Sequence, residues 1–346
     1  MLIVRSATPA DIDALLSLSE QTGHGMTTMP TDRDVWESRL AANSASFNNP
    51  VDPKQQQTYF FVLEDIENQK LVGTTALYHN VGLDRPFYSY KVSKITTASS
   101  EIDVTLHLRV LHLVNDYTGC TEIGSLFLLP EYRKHGIGQF LSRSRFMLLA
   151  DFPERFAELV FAELRGWIDA EGNSPFWDFL GSKFFGLSYE KADFLSAAHG
   201  SQFISDLMPK YPIYVNLLPT SAQDVISKPN DAAAPAMKIL ERENFQLTDY
   251  IDIFDAGPCV QCRVPQVHTV RNSQVKTIHS ISDSAELSSD DRDKQFILSN
   301  GTLADYRMTL QPIEVKDNQV VVNQATAKHL HLSVGDSIRF IKLIER

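Results

Sequence analysis

The segment Leu129-Pro130-Glu131-Tyr132-Arg133-Lys134-His135-Gly136-Ile137-Gly138 holds the residues of this chain best suited to chemistry on an anion. An apolar run ends at Pro130, the chain turns, and Arg-x-x-Gly-x-Gly leads into a helix opened by Gly136. Glycines let a ligand approach the backbone closely. The first N–H groups of a helix lack intrahelical partners, and the helix dipole favours negative charge beside them. Arg133 and Lys134 add positive charge, and Arg143 and Arg145 follow one or two turns later. From Glu131 to Phe146 there are four Lys/Arg and a single acid. Together these features specify a diphosphate cradle. The same glycines also have a plain structural reading, a tight turn from strand to helix. A third glycine of the dinucleotide fingerprint is missing, and so is the Gly-Lys-Ser/Thr of a P-loop.

A second spacing, Cys259-Val260-Gln261-Cys262, is that of metal ligands. No second cysteine pair exists and only His268 is close, whereas a closed zinc site needs four ligands. Two thiols in a strand pair is the better reading, and no metal is expected. His107 and His112 sit in a strand-like run and read as structural.

The elements that position these residues alternate. Leu2-Ile3-Val4 is a short strand, and Thr8 caps a helix with Pro9 at its first position and Asp11 in its first turn. Gly23, Gly25 and Pro30 break the pattern before a helix from Val35 to Ala42. Strands follow at Tyr59–Leu63 and Leu71–Leu77, turned at Glu67-Asn68-Gln69, then at Phe87–Ile95, Val104–Val114 and Glu122–Leu129. Ile137, Phe140, Leu141 and Leu148 have helical spacing. The strand Leu159–Leu164 precedes a short helix started by Ser174-Pro175. Phe203–Met208 and Ala232–Asn244 read as helices, and Tyr250–Phe254 as a strand. Ser280–Lys294 is polar and acidic and reads as a loop. Residues 305–346 read as strands around a helix Gln324–Leu330, ending in the strand Ser337–Ile344. Such alternation implies α/β or α+β architecture.

With 346 residues, 32 Lys+Arg against 43 Asp+Glu and a net charge of −11, the chain lacks the basic surface of a general nucleic-acid binder. Three cysteines cannot make a disulfide framework, which points to a reducing compartment. The start Met1-Leu2-Ile3-Val4-Arg5 is neither a signal peptide nor an anchor, and no apolar run is long enough to span a membrane. A cytoplasmic protein is expected, with no membrane partner.

The strand ending in Pro-Glu-Tyr-Arg before Gly136-Ile137-Gly138 resembles the acyl-CoA pyrophosphate loop of GCN5-related N-acyltransferases. Ser174-Pro175-Phe176-Trp177-Asp178-Phe179-Leu180-Gly181 resembles the helix after the next strand of that fold. More specific segments are Phe87-Tyr88-Ser89-Tyr90, Asp116-Tyr117-Thr118-Gly119, Ser142-Arg143-Ser144-Arg145-Phe146-Met147, Leu207-Met208-Pro209-Lys210-Tyr211-Pro212-Ile213-Tyr214 and Tyr250-Ile251-Asp252-Ile253-Phe254-Asp255-Ala256-Gly257-Pro258. They are similar to the arginine N-succinyltransferase family, from near residue 1 to about 273. The resemblance implies a mixed sheet flanked by helices. It implies transfer of succinyl from succinyl-CoA to the α-amino group of L-arginine, the first step of an arginine-degradation pathway; some members also use ornithine. Succinyl-CoA is then a co-substrate, with no permanently bound cofactor.

Amine attack on a thioester needs an ammonium deprotonated, an oxyanion stabilised and a thiolate released. The resemblance places the main-chain N–H of Leu126 on the thioester carbonyl, and Arg133, Lys134, His135, Gly136, Ile137 and Gly138 on the CoA. Glu122, at the start of the same strand, is the candidate base, directly or through water. The family commonly carries a His proton donor after Ala222-Gln223-Asp224-Val225-Ile226; here that position is Asn230, which cannot exchange a proton near neutral pH. Glu163 is a candidate carboxylate for the substrate guanidinium, and a salt-bridged Glu beside Arg165 is the competing reading. The succinyl carboxylate needs a cation or an N–H cluster, and nothing in the sequence chooses between them. Residues 1–190 are expected to form the acyl-CoA-binding domain, 191–275 a second unit that repeats a helix-then-strand pattern as a degenerate copy, and 276–346 a small β-rich cap. A homodimer or hetero-oligomer is expected. A non-catalytic acyl-CoA-binding subunit, or an N-acyltransferase for another amine, is the alternative that Asn230 keeps open.

Overall fold

In a computed structural model of the chain, the described residues are 1–22, 26, 28–189, 191, 192, 195, 202–283, 294–316 and 319–343. Sixteen strands among them join one mixed sheet. The first seven are β1 (Leu2–Ser6), β2 (Gln57–Asp65), β3 (Lys70–His79), β4 (Ser89–Ser99), β5 (Val104–Val114), β6 (Thr121–Leu128) and β7 (Leu159–Glu163). Next come β8 (Ile213–Tyr214), β9 (Gln246–Ile251), β10 (Pro258–Arg263), β11 (Gln274–Ile281) and β12 (Gln295–Ser299). The last are β13 (Arg307–Pro312), β14 (Glu314–Lys316), β15 (Gln319–Val322) and β16 (Ser337–Lys342). The order across the sheet is β14-β15-β11-β16-β12-β13-β1-β2-β3-β6-β7-β10-β9-β4-β5-β8. The helices that matter to the site are α1 (Ile12–Glu20), α2 (Arg33–Asn48), α3 (Ile137–Asp151), α4 (Ala234–Arg242), α5 (His268–Asn272) and α6 (Gln324–Leu330). The expected mixed sheet flanked by helices is the architecture observed.

Central strands β2 and β3 are almost wholly buried, as a sheet covered on both faces requires. Around them lies the largest apolar cluster, with Phe60, Phe61, Leu77, Phe140, Leu148 and Phe161. That cluster also takes in Leu240 of α4, Phe245, and Cys259, Val260 and Cys262 of β10. Strands β9 and β10 sit in the sheet beside β7, so the core of residues 1–164 and that of 234–267 are continuous. A second cluster gathers Tyr90, Leu111, Trp177, Ile204, Val225 and Ile251. A third, with Ile278, Leu298, Val320, Leu330 and Phe340, is built from residues 278–340 alone. Its strands join the rest where β13 pairs with β1, Ile3 opposite Thr309.

Several element boundaries differ from the sequence expectation for identifiable reasons. Asp32 caps α2, accepting from Asp34 and Val35 N–H, and the helix runs on to Asn48 rather than ending at Ala42. Inside it, buried Asn43 accepts from Phe60 N–H and donates to Ala7 O, a polar pin that tolerates an otherwise poor helix former. The strand expected at Tyr250–Phe254 ends at Ile251, because Asp252 Oδ1 accepts from the N–H groups of Phe254 and Asp255 and closes a turn. After Ser174-Pro175 the chain forms a π-helical turn, Trp177–Gly181; a Cβ at Gly181 would lie 2.2 Å from the Trp177 ring. Gly23, Gly25 and most of the polar stretch before Lys294 lie outside the described residues.

Candidate active site

The site begins where two strands part. β6 and β7 run parallel and pair only at Thr121–Val160 and Glu122–Phe161. Beyond that point they diverge, and a cavity of about 820 Å³ opens between Ile123–Leu128 and Ala162–Arg165. On its other edge β6 still pairs with β3, but the register shifts so that Ser125 and Leu126 face Thr75 as a bulge. Ser125 has a left-handed φ of 51°. Two bonds fasten it: Thr74 Oγ1 donates to Ser125 O at 2.8 Å, and Tyr78 Oη and Ser125 Oγ are 2.6 Å apart. A bulge of this kind redirects main-chain groups away from the ladder and into the gap.

At the cavity's mouth the chain leaves β6 through a 3₁₀ turn, Pro130–Tyr132. Arg133 Nε donates to Leu128 O at 2.9 Å and ties the loop to the strand end. His135 and Gly136 both take left-handed φ, 52° and 80°, which swing the chain sharply into α3. Gly136 is the N-cap and supplies no side-chain oxygen to the helix start. At Gly138 a Cβ would meet only ordinary contact with Leu128, so the protein's own packing does not demand glycine there. Arg133, Lys134, His135, Gly136 and Gly138 line the cavity. Ile137 does not: its side chain joins the core and its N–H is spent on Lys134 O at 3.0 Å.

The four-cation cradle read from sequence is corrected in one respect. Arg143 is 2 % exposed and its guanidinium is engaged elsewhere. It pairs with Glu243 at 2.9 Å and donates to Thr269 Oγ1 and to the carbonyls of Lys342 and Leu343. Two residues further along a helix the direction has turned by more than half a circle, and Arg145 does line the cavity.

The inner end is acidic. Glu122, Glu163, Asp252 and Asp255 all line the cavity. Burial raises Glu122 to about 7. Glu163 is raised by burial and then by the charges of Glu122 and Asp255; its Oε1 accepts from Ser89 Oγ at 3.3 Å and Cys259 Sγ at 3.5 Å. Asp252 is raised by burial, then by Asp255 and Glu163. Asp255 is the bracket of this wall: it accepts from Gly166 N–H, Gly257 N–H and Tyr189 Oη. A Cβ at Gly166 would fall 2.3 Å from Asp255 O, so only glycine permits this approach.

Asn230 also reaches the cavity. It caps the 3₁₀ turn before α4, its side-chain oxygen accepting from Ala232 N–H, while its own N–H donates to Arg165 O. Of the residues proposed from sequence, Glu122, Leu126, Arg133, Lys134, His135, Gly136, Gly138, Glu163 and Asn230 share one cavity, and Ile137 stands behind it. Asp252 and Asp255 escaped the sequence reading as site residues. Their only signal was an Asp-x-x-Asp turn beside Gly257, which is indistinguishable from ordinary turn chemistry. Cys259 and Cys262, three apart on β10, project to opposite faces. Cys259 faces Glu163, and Cys262 lies near Glu243 O.

The family described as arginine N-succinyltransferase beta subunit matches residues 2–269, and its C-terminal domain matches residues 280–342. Proteins called arginine N-succinyltransferase from Shigella dysenteriae and Escherichia coli are 37% identical over 344 residues, 99% of this chain and 98% of each relative. The solved structure of arginine/ornithine succinyltransferase subunit AI from Pseudomonas aeruginosa superimposes with a TM-score of 0.89 at 30% identity, covering 100% of this chain and 99% of that one. With this match along nearly its whole length, the chain belongs to the arginine N-succinyltransferase family of acyltransferases.

Proposed function

We propose that this chain transfers the succinyl group of succinyl-CoA to the α-amino group of L-arginine. The observation that carries the reading is one cavity with three unlike ends: a cationic glycine loop, a bulged strand and a carboxyl cluster. The N–H groups of Gly136 and Gly138, with Arg133 and Lys134, suit a diphosphate at the mouth. The main-chain N–H of Leu126, on the bulge, serves the thioester oxygen. Glu163 and Asp252 suit a guanidinium, which neutralises two acids that crowd each other.

Glu122, held near neutrality by burial, takes a proton from the substrate's α-ammonium, directly or through one water. The amine then forms a C–N bond at the thioester carbon. The oxyanion collapses, the C–S bond breaks and CoA leaves as a thiolate, while the second proton of the attacking nitrogen passes to the departing sulfur or to solvent. A thiol of reference pKa about 8.5 needs little acid assistance. That accommodates Asn230, which positions the α4 entrance and donates no proton. In this reading residues 1–190 hold the acyl-CoA, 191–275 supply Asp252 and Asn230, and 276–346 cap the sheet.

The test is free-thiol release from succinyl-CoA by the purified full chain, with arginine, with ornithine and without amine. Amine-dependent release with arginine is expected. Tight CoA binding with no release for either amine would favour the non-catalytic alternative, which rests on Asn230.

A further inference from the structure

Arg145 is a buried cation with no ion-pair partner among the described residues. It is 2 % exposed, on the third turn of α3, and lines the cavity. Its Nε donates to Ser142 O at 3.0 Å and its Nη2 to Ser142 Oγ at 2.7 Å, both within its own helix. Its Cζ lies 5.6 Å from the Phe146 ring centroid. No carboxylate pairs with it among the described residues. Glu243, the acid whose charge is felt there, is committed to Arg143. Burial pushes the Arg145 pKa down to about 9, the mark of a charge poorly compensated by its surroundings. A buried unpaired cation is costly, and a fold retains one where a ligand completes it.

The position selects the ligand. A diphosphate belongs at the α3 start, by Gly136 and Gly138. Arg145 lies eight residues past Ile137, about 12 Å further along the axis at 1.5 Å per residue. That separates it from a diphosphate at the helix start, while it lines the same cavity as Leu126. The cavity's carboxyls, Glu122, Glu163 and Asp252, offer an anion no counter-charge, and of the two arginines that line the cavity beyond the glycine loop, Arg145 and Arg165, Arg145 is the buried one. We infer that Arg145 receives the distal carboxylate of the acyl group and sets the preference for a dicarboxylic acyl donor. The inference rests on the succinyl-CoA reading above and goes beyond it by naming the residue that selects the acyl group.

The experiment compares succinyl-CoA with butyryl-CoA, which has a methyl where succinyl has its carboxylate. Binding of each is measured calorimetrically, without amine, to the full-length wild type, Arg145→Met and Arg145→Lys. The wild type is expected to prefer succinyl-CoA by about 100-fold or more, since a site built for a polar group discriminates strongly against an analogue lacking it. Arg145→Met should bring that ratio near one while leaving butyryl-CoA affinity unchanged, and Arg145→Lys should fall between. Thermal unfolding of unliganded Arg145→Met should occur no lower than in the wild type, since a costly unpaired charge is removed. Equal affinity of the wild type for the two donors would overturn the inference. So would an equal loss of both donors and of free CoA in Arg145→Met, which would place the residue on the nucleotide. If Arg145→Met does not fold, the wild-type ratio and Arg145→Lys decide. A succinyl preference without transfer to arginine would overturn the proposed function and leave this assignment standing; arginine-dependent release without a succinyl preference would do the reverse.

Discussion

A carboxyl titrating near 7 is suited to accept a proton at neutral pH, and Glu122 is placed to do so by burial beside the bulge. Glu122→Gln should lower kcat about 100-fold or more with little change in CoA affinity. The wild-type kcat/KM should rise with pH through about 7, as the carboxyl ionises, and the variant should lose that limb. Glu163 and Asp252 add a linked effect. Both are raised above their ordinary values, so in the empty site they favour protonation. A guanidinium favours their ionised forms, so arginine should bind more tightly as pH rises from 6 to 9, with proton release measurable by calorimetry in two buffers. The stability sign follows the same direction. A raised carboxyl stabilises the fold fully below its unfolded value, and that contribution is lost as pH rises through the folded value. Asp252→Asn should therefore raise Tm at pH 8 by about 2 °C or more and change it little at pH 5.

At the scale of elements, α3 does two jobs with its two buried arginines. Arg143 docks the helix to Glu243 behind α4, to Thr269 of α5, and to the chain just after β16. Both side chains of the ion pair are 3 % exposed, so removing one partner strands the other. Glu243→Gln should cost about 3–5 kcal/mol, read by denaturant unfolding. The helix start answers to a different test. A side chain and a negative charge at Gly136→Glu meet a φ of 80° and the proposed phosphate position together, and CoA affinity should fall at least about 10-fold. The loop motif, the helix after it and the strand before it were legible because glycine, proline and apolar spacing act locally. The length of α2 was not, since Asn43 is a helix weakener until Phe60 and Ala7 supply its partners.

The whole molecule is tied together through its sheet. Residues 276–346 carry their own apolar cluster, yet β13 pairs with β1, and Arg339 of β16 binds Asp151 at the end of α3. Deleting residues 276–346 would strip β1 of a partner and leave Arg143 without two acceptors. The shortened chain is expected to lose cooperative thermal unfolding and to bind ANS. At the far edge, Leu106, Leu217 and Tyr211 are exposed around the β4–β5 hairpin, which suits association of copies. Light scattering should return a mass above that of one chain. No helix among the described residues is long and apolar enough to cross a membrane.

Residue type and local spacing were enough to specify the α/β alternation, the glycine loop before α3 and the likeness of the segments from Phe87 to Pro258 to one enzyme family. Those are local signals, carried by residue type and by spacing within a strand, turn or helix. What the charges do depends on how the chain packs. Arg143 and Arg145 read alike in the sequence, two residues apart on one helix, and the packing of Glu243 neutralises the first and leaves the second facing the cavity. The carboxyls of Glu122, Glu163 and Asp252 lie on three strand ends far apart in the chain, and they acquire raised pKa values because the sheet buries them against one another. Charge in a protein takes its meaning from dielectric and neighbours, and both are set by the fold.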